Sequence, residues 1–332
     1  MSTDTTLALR VAAVEALTPH VKTFRLVAAD GSPLPGYTAG AHLQVHVPAA
    51  PGRRESAQWR SYSMVQLDPS ADTRASVPEY RIAVRREDDG RGGSRFMHED
   101  LERGHTLTVR PPVNHFPLAE PPEVILLAGG IGITPITAMA TTLVAQGRAF
   151  ALHYTGRSRE QLAFVDELQS LLGPRLHVHA DDEPASKLSI EALLTAADPQ
   201  QPIYVCGPAG MIDATLQIAE RLGWPKSALH YELFGEARPL AGDQPFEVEL
   251  QSSGRVLTVA ADRSLLDTLN DAGADVMHDC RSGHCGLCST RVCSGDIEHR
   301  DTYLSDAEKA SGRVMQVCVS RAKSGGRLVL DL

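Results

Sequence analysis

The feature that most constrains this sequence is a group of cysteines near the C-terminus, three in the spacing C-x4-C-x2-C and a fourth after a long interval. They are Cys280, Cys285, Cys288 and Cys318. Four thiolates in this arrangement hold the two irons of a plant-type [2Fe–2S] cluster. The loop must come close to such a cluster, and Gly283 and Gly286 allow this because glycine lacks a Cβ and accepts positive φ. The spacing therefore predicts a [2Fe–2S] site.

Three other uses of these cysteines are less consistent with their surroundings. Zinc sites usually combine two C-x2-C pairs, whereas the second half here is a lone Cys318. A Rieske centre needs two histidines on one iron, but His284 directly precedes Cys285 and no histidine lies a few residues after Cys288. A disulfide framework needs an oxidising compartment, and the first residues do not form a secretory signal. The additional Cys293 is expected to be a half-buried strand residue.

Composition excludes several classes of function. The chain has 332 residues, enough for two or three domains, and a net charge of −9. Such an acidic chain has no electrostatic support for binding nucleic acid. No apolar run approaches the roughly 20 residues needed to span a bilayer, and six cysteines, four of them cluster ligands, suit a reducing compartment. We expect a cytoplasmic protein without nucleic-acid or membrane partners.

Residues 1–117 contain short strand-like segments between Gly/Pro turns, which is typical of a small antiparallel barrel. Within them, Arg60-Ser-Tyr-Ser63 offers a guanidinium fork for a phosphate and an aromatic ring that can pack on a flat cofactor. The glycine-rich stretch Gly90–Ser94 precedes a short helix, with Ser94 as a candidate N-cap. Such turns bind anions through free N–H groups. Each motif alone also occurs on ordinary strands and turns, so their order along the chain matters.

Residues 118–236 alternate strands and helices, including a helix expected over 159–172, and predict a doubly wound parallel sheet. After an apolar strand, the loop Gly129-Gly-Ile-Gly-Ile-Thr-Pro135 can offer backbone N–H groups to a pyrophosphate. Ligands of such sheets bind at the carboxyl ends of the strands. The segment Tyr204-Val-Cys-Gly-Pro-Ala-Gly-Met211 begins in a later strand, expected over 203–206, and runs into the helix that follows it.

His177 and His179 lie two residues apart on one face of a strand expected over 176–180. Such a pair supplies half of a metal site, but two histidines alone are more often surface residues. We expect no metal there.

Residues 237–332 begin with a polar Pro/Gly linker, 238–245. A hairpin follows, and then a helix over 264–272 with Ser264 at its cap and Gly273 after it. The cysteine loop comes next, followed by short strands. This order resembles the β-grasp fold of ferredoxins.

Taken in order, these motifs resemble the phthalate dioxygenase reductase family, which includes vanillate demethylase reductase components. The glycine loop matches the family's A-G-G-x-G-x-T-P element, and the later segment matches Y-x-C-G-P-x-x-M. The resemblance implies three domains: an antiparallel β-barrel that binds FMN over 1–117, a doubly wound α/β domain that binds NADH over 118–236, and a β-grasp ferredoxin domain over 237–332. Two departures are Ser61, where a threonine is common, and the extra Cys293.

The resemblance also implies which residues bind the cofactors. Those expected around FMN are Arg60, Ser61, Tyr62, Ser63, Ala83, Val84, Gly92, Gly93, Ser94, Thr134 and Phe234. Those expected around NADH are Gly130, Gly132, Arg157, Gly207, Pro208 and Met211. Thr134 and Cys206 would lie near the flavin and nicotinamide and are the candidate catalytic residues. Arg157 could pair with a 2′-phosphate, which leaves NADPH open, although the family resemblance favours NADH.

The function implied is the reductase component of a two-component Rieske-type oxygenase. Electrons would pass from NADH through FMN and the [2Fe–2S] cluster to a terminal oxygenase that acts on an aromatic acid or a small amine. A hydride carries two electrons and the cluster accepts one at a time, so the flavin must separate the pair. The partners expected are NADH and the terminal oxygenase, and the chain is expected to be a monomer. The alternatives are a reductase for a cytochrome P450 or a ferric chelate, and a non-enzymatic redox sensor, which would need neither a flavin nor a nucleotide site.

Overall fold

The computed structural model of the protein describes residues 5–49, 57–90, 92–119, 123–235 and 239–332. Arg91 of the glycine-rich stretch and Arg238 of the linker lie outside these residues. The chain forms two compact units, Met1–Leu233 and Phe234–Leu332. The expected domain boundaries after residues 117 and 236 stay a prediction. Across the described ranges, every helix is too short or too polar to cross a membrane.

The first part of the first unit is an antiparallel barrel. Its elements are β1 (Leu7–Thr18), β2 (Val21–Ala28), β3 (Leu34–Pro35), β4 (His42–Val47), β5 (Gln58–Ser63), β6 (Ser76–Val77), β7 (Tyr80–Arg85), α1 (Gly93–Glu99) and β8 (Thr106–Val113). The main sheet has the order β5-β4-β8-β1-β2-β7. A bridge from Met64, just after β5, to Ile82 in β7 brings the two edge strands together. The sheet thereby closes around buried apolar side chains such as Phe24, Leu43 and Tyr80.

The second part of the first unit is a parallel sheet with helices on both faces. Its elements are β9 (Glu123–Gly129), α2 (Ile133–Ala145), β10 (Ala149–Gly156), α3 (Val165–Leu172), β11 (Leu176–Ala180), α4 (Ile190–Ala196), β12 (Ile203–Gly207), α5 (Ala209–Arg221) and β13 (Leu229–Leu233). The order is β11-β10-β9-β12-β13, and every pairing in it is parallel. Because it is covered on both faces, the central strand β9 is buried along nearly its whole length.

The barrel and the parallel sheet share one apolar core. Val21, Val65 and Ala83 of the barrel pack in the same buried cluster as Ile133 and Ile136 of α2. Hydrogen bonds reinforce this contact, since Thr141 Oγ1 donates to the Gln66 carbonyl at 2.7 Å and the Gln66 amide donates to Thr137 Oγ1 at 3.3 Å. The two layers therefore form one compact unit.

Two local predictions in this unit are wrong. The helix expected over 159–172 is interrupted, because Phe164 adopts a φ of 65° and inserts its ring into the core, where the Arg81 guanidinium lies 5.0 Å from the ring centre. Only residues from Val165 onward form the α-helix α3. Ser94 is not the N-cap of α1, since Gly92, with a φ of 80°, holds that position. The Ser94 hydroxyl instead accepts a hydrogen bond from the Glu87 amide at 2.9 Å.

The second unit is a small mixed sheet with two short helices. Its elements are β14 (Phe246–Leu250), β15 (Arg255–Val259), α6 (Leu265–Asp271), β16 (Ser289–Ser294), β17 (Ile297–Glu298), α7 (Asp306–Ser311), β18 (Val314–Gln316), β19 (Arg321–Ala322) and β20 (Arg327–Leu330). The order is β15-β14-β20-β16-β18, with β14 and β20 parallel. Ser264 caps α6 as predicted, accepting from the Asp267 amide at 3.0 Å. The three-part fold class predicted from the sequence is confirmed.

Candidate functional site

A cleft of about 520 Å³ lies at the carboxyl ends of β9, β10 and β12, where a doubly wound sheet binds its ligand. Four of the residues predicted to contact the nucleotide line it, namely Gly130, Arg157, Pro208 and Met211. The loops that carry them are far apart in sequence, and the parallel sheet brings them together. The cleft is large enough for part of a dinucleotide.

Glycines allow the ends of β9 and β12 to approach closely. A Cβ on Gly132 would lie 2.1 Å from the Cys206 carbonyl oxygen, and one on Gly207 would lie 3.0 Å from Gly129 Cα. The first contact is too short for any side chain and the second is very tight, so the two predicted nucleotide loops meet backbone to backbone. Gly132 and Gly207 do not themselves line the cleft but fix the loops that do.

The two candidate catalytic residues lie in this junction and are both buried, Thr134 with 1% of its surface exposed and Cys206 with none. Thr134 Oγ1 donates to the Ile131 carbonyl at 2.9 Å, which fixes its hydroxyl over the glycine turn. Burial, and secondarily the Glu232 carboxylate, raise the pKa of the Cys206 thiol well above its usual value. Cys206 therefore remains a neutral thiol at physiological pH. Their catalytic roles stay a prediction.

Three further residues at this end of the sheet were not predicted from the sequence. Asp181 directly follows β11 and lines the cleft, and its position after a strand is a signal that could have identified it. Glu232 is the register partner of Cys206 on β13. Arg85 reaches the cleft from the barrel, because β7 lies against the Gly130–Gly132 turn. Its position depends on the packing of the two layers, which no local motif reveals.

Two of the motifs predicted for the flavin meet in the barrel. Arg60 on β5 packs its side chain on Gly93 at the start of α1, so that a Cβ on Gly93 would lie 2.8 Å from Arg60 Cγ. Tyr62 lies two residues further along the same strand and packs against the barrel core. Burial raises the pKa of its phenol, and the positive charge of Arg60 partly opposes this. A cation, an aromatic ring and a glycine turn are thus adjacent.

The remaining residues predicted for the flavin differ in their surroundings. Ser63, Ala83 and Val84 are buried on β5 and β7, and Ala83 belongs to the core shared by the barrel and the parallel sheet. Ser61 is exposed on β5. Phe234 immediately follows β13 and has 37% of its surface exposed. Contact between these residues and a flavin stays a prediction.

The cysteine loop between α6 and β16 wraps tightly. Gly283 and Gly286 have φ angles of 80° and 77°, as predicted. A Cβ on Gly283 would lie 2.8 Å from Val319 Cγ2, and one on Gly286 would lie 2.3 Å from the Tyr303 ring. Arg281 also has a positive φ, 53°, and its guanidinium pairs with Asp267 on α6. The loop conformation therefore depends on contacts from both sides.

The four cysteines form two interacting pairs, as expected of side chains that bind one cluster together. Cys285 and Cys280 hydrogen-bond to each other, and this lowers the pKa of the Cys280 thiol to about 4 while raising that of Cys285. A second hydrogen bond, between Cys288 and Cys318, lowers the pKa of Cys288 and raises that of Cys318. The amides of Ser282 and His284 each donate to Cys280 Sγ at 3.4 Å. Converging sulfur atoms with N–H donors around them are the donor set of a [2Fe–2S] cluster.

Comparison with known proteins agrees with this geometry. Residues 126–217 match the family described as an oxidoreductase NAD-binding domain, and residues 248–323 match the one described as a 2Fe-2S iron-sulfur cluster binding domain. The phthalate dioxygenase reductase of Burkholderia cepacia is 39% identical to this chain, and the match covers 99% of this chain and 98% of that reductase. The chain belongs to the phthalate dioxygenase reductase family. A solved phthalate dioxygenase reductase, described as a modular structure for electron transfer from pyridine nucleotides to [2Fe–2S], superposes with a TM-score of 0.73 at 38% identity, covering 99% and 98% of the two chains.

Two other proteins are also similar to this chain. The heme-dependent oxidative N-demethylase beta subunit of Ectopseudomonas mendocina is 43% identical over 99% of this chain and all of that subunit. Full-length CYP116B46 from Tepidiphilus thermophilus superposes with a TM-score of 0.74 at 38% identity over 98% of this chain. This chain spans only 42% of that longer one.

Membership of the phthalate dioxygenase reductase family confirms several predictions. The protein is an oxidoreductase and a flavoprotein that transfers electrons, with a nicotinamide-binding domain and a [2Fe–2S] domain. The predicted function is confirmed at the level of the family, because its relatives are reductase components. A redox sensor without enzyme activity is set aside.

The buried Cys206 thiol is expected to resist alkylation. Iodoacetamide reacts with thiolates, and burial with the nearby Glu232 keeps Cys206 protonated. Cys293 lies on β16 as expected, but it is exposed and not half-buried. At pH 8 the holoprotein should therefore be labelled at Cys293 and not at Cys206. Peptide mapping by mass spectrometry measures both sites, and denatured protein, in which both should be labelled, is the control. Equal labelling of the two cysteines in the holoprotein would contradict the burial of Cys206.

Proposed function

We propose that the chain is the NADH-dependent reductase component of a two-component oxygenase, whose terminal component is of the Rieske type and oxidises an aromatic acid or a small amine. The observation that carries this is the presence, in one chain, of a nucleotide cleft and of a four-cysteine cluster loop. When bound, the cofactors supply hydride acceptance by the flavin and one-electron transfer by the cluster. The residues of the chain bind, orient and shield these groups.

The barrel is proposed to hold FMN. Arg60 packs beside Gly93 at the start of α1, where its guanidinium can pair with a phosphate. Tyr62 packs on the flavin ring, and Ser61, Ser63, Ala83 and Val84 surround it on β5 and β7. Gly92, Gly93 and Ser94 bound the phosphate end, and Thr134 and Phe234 complete the ring site. No aromatic platform for an adenine is evident in the sequence of the barrel, which favours FMN over FAD.

Replacement of Arg60 by glutamine is expected to weaken flavin binding, because the phosphate loses its cation. The flavin content after gel filtration should fall several-fold, while Arg25→Gln, which alters an exposed ion pair with Glu79 on the same barrel, should leave it unchanged. The flavin released by acid from the unmodified protein should have the mass of FMN. Recovery of FAD would overturn this assignment.

The cleft is proposed to hold NADH. Gly130 and Gly132 bring the backbone to the pyrophosphate, and Arg85 faces the same turn from the barrel. Gly207, Pro208 and Met211 adjoin the nicotinamide. Cys206 and Thr134 flank the reacting atoms, and the neutral Cys206 thiol adds no charge there. At the other end, Arg157 and Asp181 line the cleft together.

Asp181 supports the choice of NADH over NADPH. A carboxylate at this end of a strand can accept a hydrogen bond from the ribose 2′-hydroxyl and repels a 2′-phosphate. The Arg157 guanidinium would favour the phosphate, and the nearby Asp181 carboxylate opposes that attraction.

Asp181→Asn is therefore expected to raise the ratio of kcat/KM for NADPH to that for NADH by about tenfold, since it removes the repulsion and keeps the hydrogen bond. Steady-state ferricyanide reduction with each nucleotide measures this ratio. Asp182→Asn, at an exposed neighbour outside the cleft, is the matched control. An unchanged ratio in Asp181→Asn would assign nucleotide preference to other residues.

Electrons are proposed to leave through the cluster held by Cys280, Cys285, Cys288 and Cys318. The acceptor is a separate terminal oxygenase, as the names of relatives suggest. A haem protein is a second candidate acceptor, because similar chains include a heme-dependent N-demethylase subunit and part of a cytochrome P450. NADH-dependent turnover with purified Rieske and haem acceptors distinguishes the two. We further propose a monomer and a cytoplasmic location, consistent with six cysteines of which none forms a disulfide.

Cys285→Ser is expected to abolish NADH-dependent reduction of cytochrome c, which requires the cluster, while ferricyanide reduction by the flavin persists. Cys293→Ser removes an exposed cysteine outside the ligand set and should leave both activities unchanged. Steady-state assays measure NADH-dependent reduction of cytochrome c and of ferricyanide separately, and iron analysis verifies that the cluster is lost. Full cytochrome c reduction in Cys285→Ser would show that electrons bypass the cluster.

A further inference from the structure

Three histidines form a cluster on the outer part of the parallel sheet. His153 on β10 is the register partner of His177 on β11, and His179 follows two residues later on the same face. The His153 ring stacks on the His177 ring with centres 4.7 Å apart, and its centre lies 5.3 Å from that of His179. The sequence pair was not expected to bind metal because it lacked further ligands. The fold supplies a third imidazole from the neighbouring strand.

Hydrogen bonds fix the protons of two of these rings. The Ser186 carbonyl can only accept, so His179 Nδ1, at 2.7 Å, carries a proton and donates it. His179 Nε2 then has a free lone pair, which accepts from His153 Nδ1 at 3.1 Å. A histidine that donates its other N–H to a backbone carbonyl has the tautomer and orientation found in metal-ligating histidines. His179 is therefore oriented as a ligand through Nε2.

From this arrangement we propose that His153, His177 and His179 bind one divalent transition-metal ion, of the class that prefers imidazole: Zn²⁺, Ni²⁺ or Cu²⁺. The ion takes the place of the proton between His153 Nδ1 and His179 Nε2. The His153 ring is then protonated on Nε2 and not on Nδ1. Two nitrogens at tetrahedral zinc lie about 3.4 Å apart, so the present separation of 3.1 Å needs little adjustment. His177 is exposed and turns about its side-chain bonds to become the third ligand.

The site adjoins the nucleotide cleft without belonging to it. Thr155, the register partner of His179, lines the cleft, and so does Leu188, two residues after the Ser186 carbonyl that orients His179. The three histidines do not line it themselves. A metal ion here would thus lie outside the nucleotide cleft, and the proposal does not depend on the function proposed above.

The test is calorimetric titration of the untagged holoprotein with NiCl₂. All variants carry Cys293→Ser, so that the exposed thiol contributes no binding. One Ni²⁺ per chain is expected, not displaced by excess Mg²⁺. His179→Gln and, separately, His177→Gln should each weaken binding by at least about tenfold. His105→Gln, at an exposed histidine of the barrel, should have no effect.

The visible spectrum of flavin and cluster reports whether each variant is folded, and His177→Gln changes an exposed residue that the fold does not need. Absence of Ni²⁺ binding, or equal affinity in the parent, His177→Gln and His179→Gln proteins, would overturn the proposal. An equal loss in His105→Gln would also overturn it.

Discussion

The apolar contact between the barrel and the parallel sheet determines where a nucleotide can bind. Ala83 and Val21 of the barrel are buried with Ile133 and Ile136 of α2 in one cluster. Removing these apolar side chains from water stabilises the contact, which holds the two layers in one arrangement. The end of β7 is thereby fixed against the glycine turn after β9, so Arg85 lines a cleft formed mainly by the other layer.

The cysteine loop depends on a different, local constraint. Its glycines have positive φ, and the spaces beside them are occupied by Val319 and Tyr303. An added side chain at either glycine would meet both a strained backbone and a steric clash. The ion pair between Arg281 and Asp267 ties the loop to α6, where the positive φ of Arg281 needs such support. The sulfur atoms therefore converge because the backbone around them has little freedom.

This difference explains what could be predicted from the sequence. The four-cysteine spacing and the glycine turn after β9 are local patterns, so the sequence alone was enough to predict a site at each. Arg85 and Glu232 could not be identified in this way, because they reach the site only through packing and strand register. The two local errors have different origins. Phe164 interrupts a helix to fill the core, so tertiary packing overrode intrinsic propensity there. Gly92, which accepts a positive φ, is the N-cap of α1 instead of the candidate Ser94.

Cysteine chemistry in this chain is set by surroundings, not by residue type. Cys206 lies in a fully buried junction beside a carboxylate, so burial and charge both favour its neutral thiol. Cys280 is also largely covered by protein, yet a neighbouring thiol and two backbone amides donate to its sulfur, which favours the thiolate. A thiolate ligates iron, whereas the buried Cys206 thiol stays neutral and places no charge at its junction. Burial and the donors to sulfur therefore decide which state the same side chain adopts in its two surroundings.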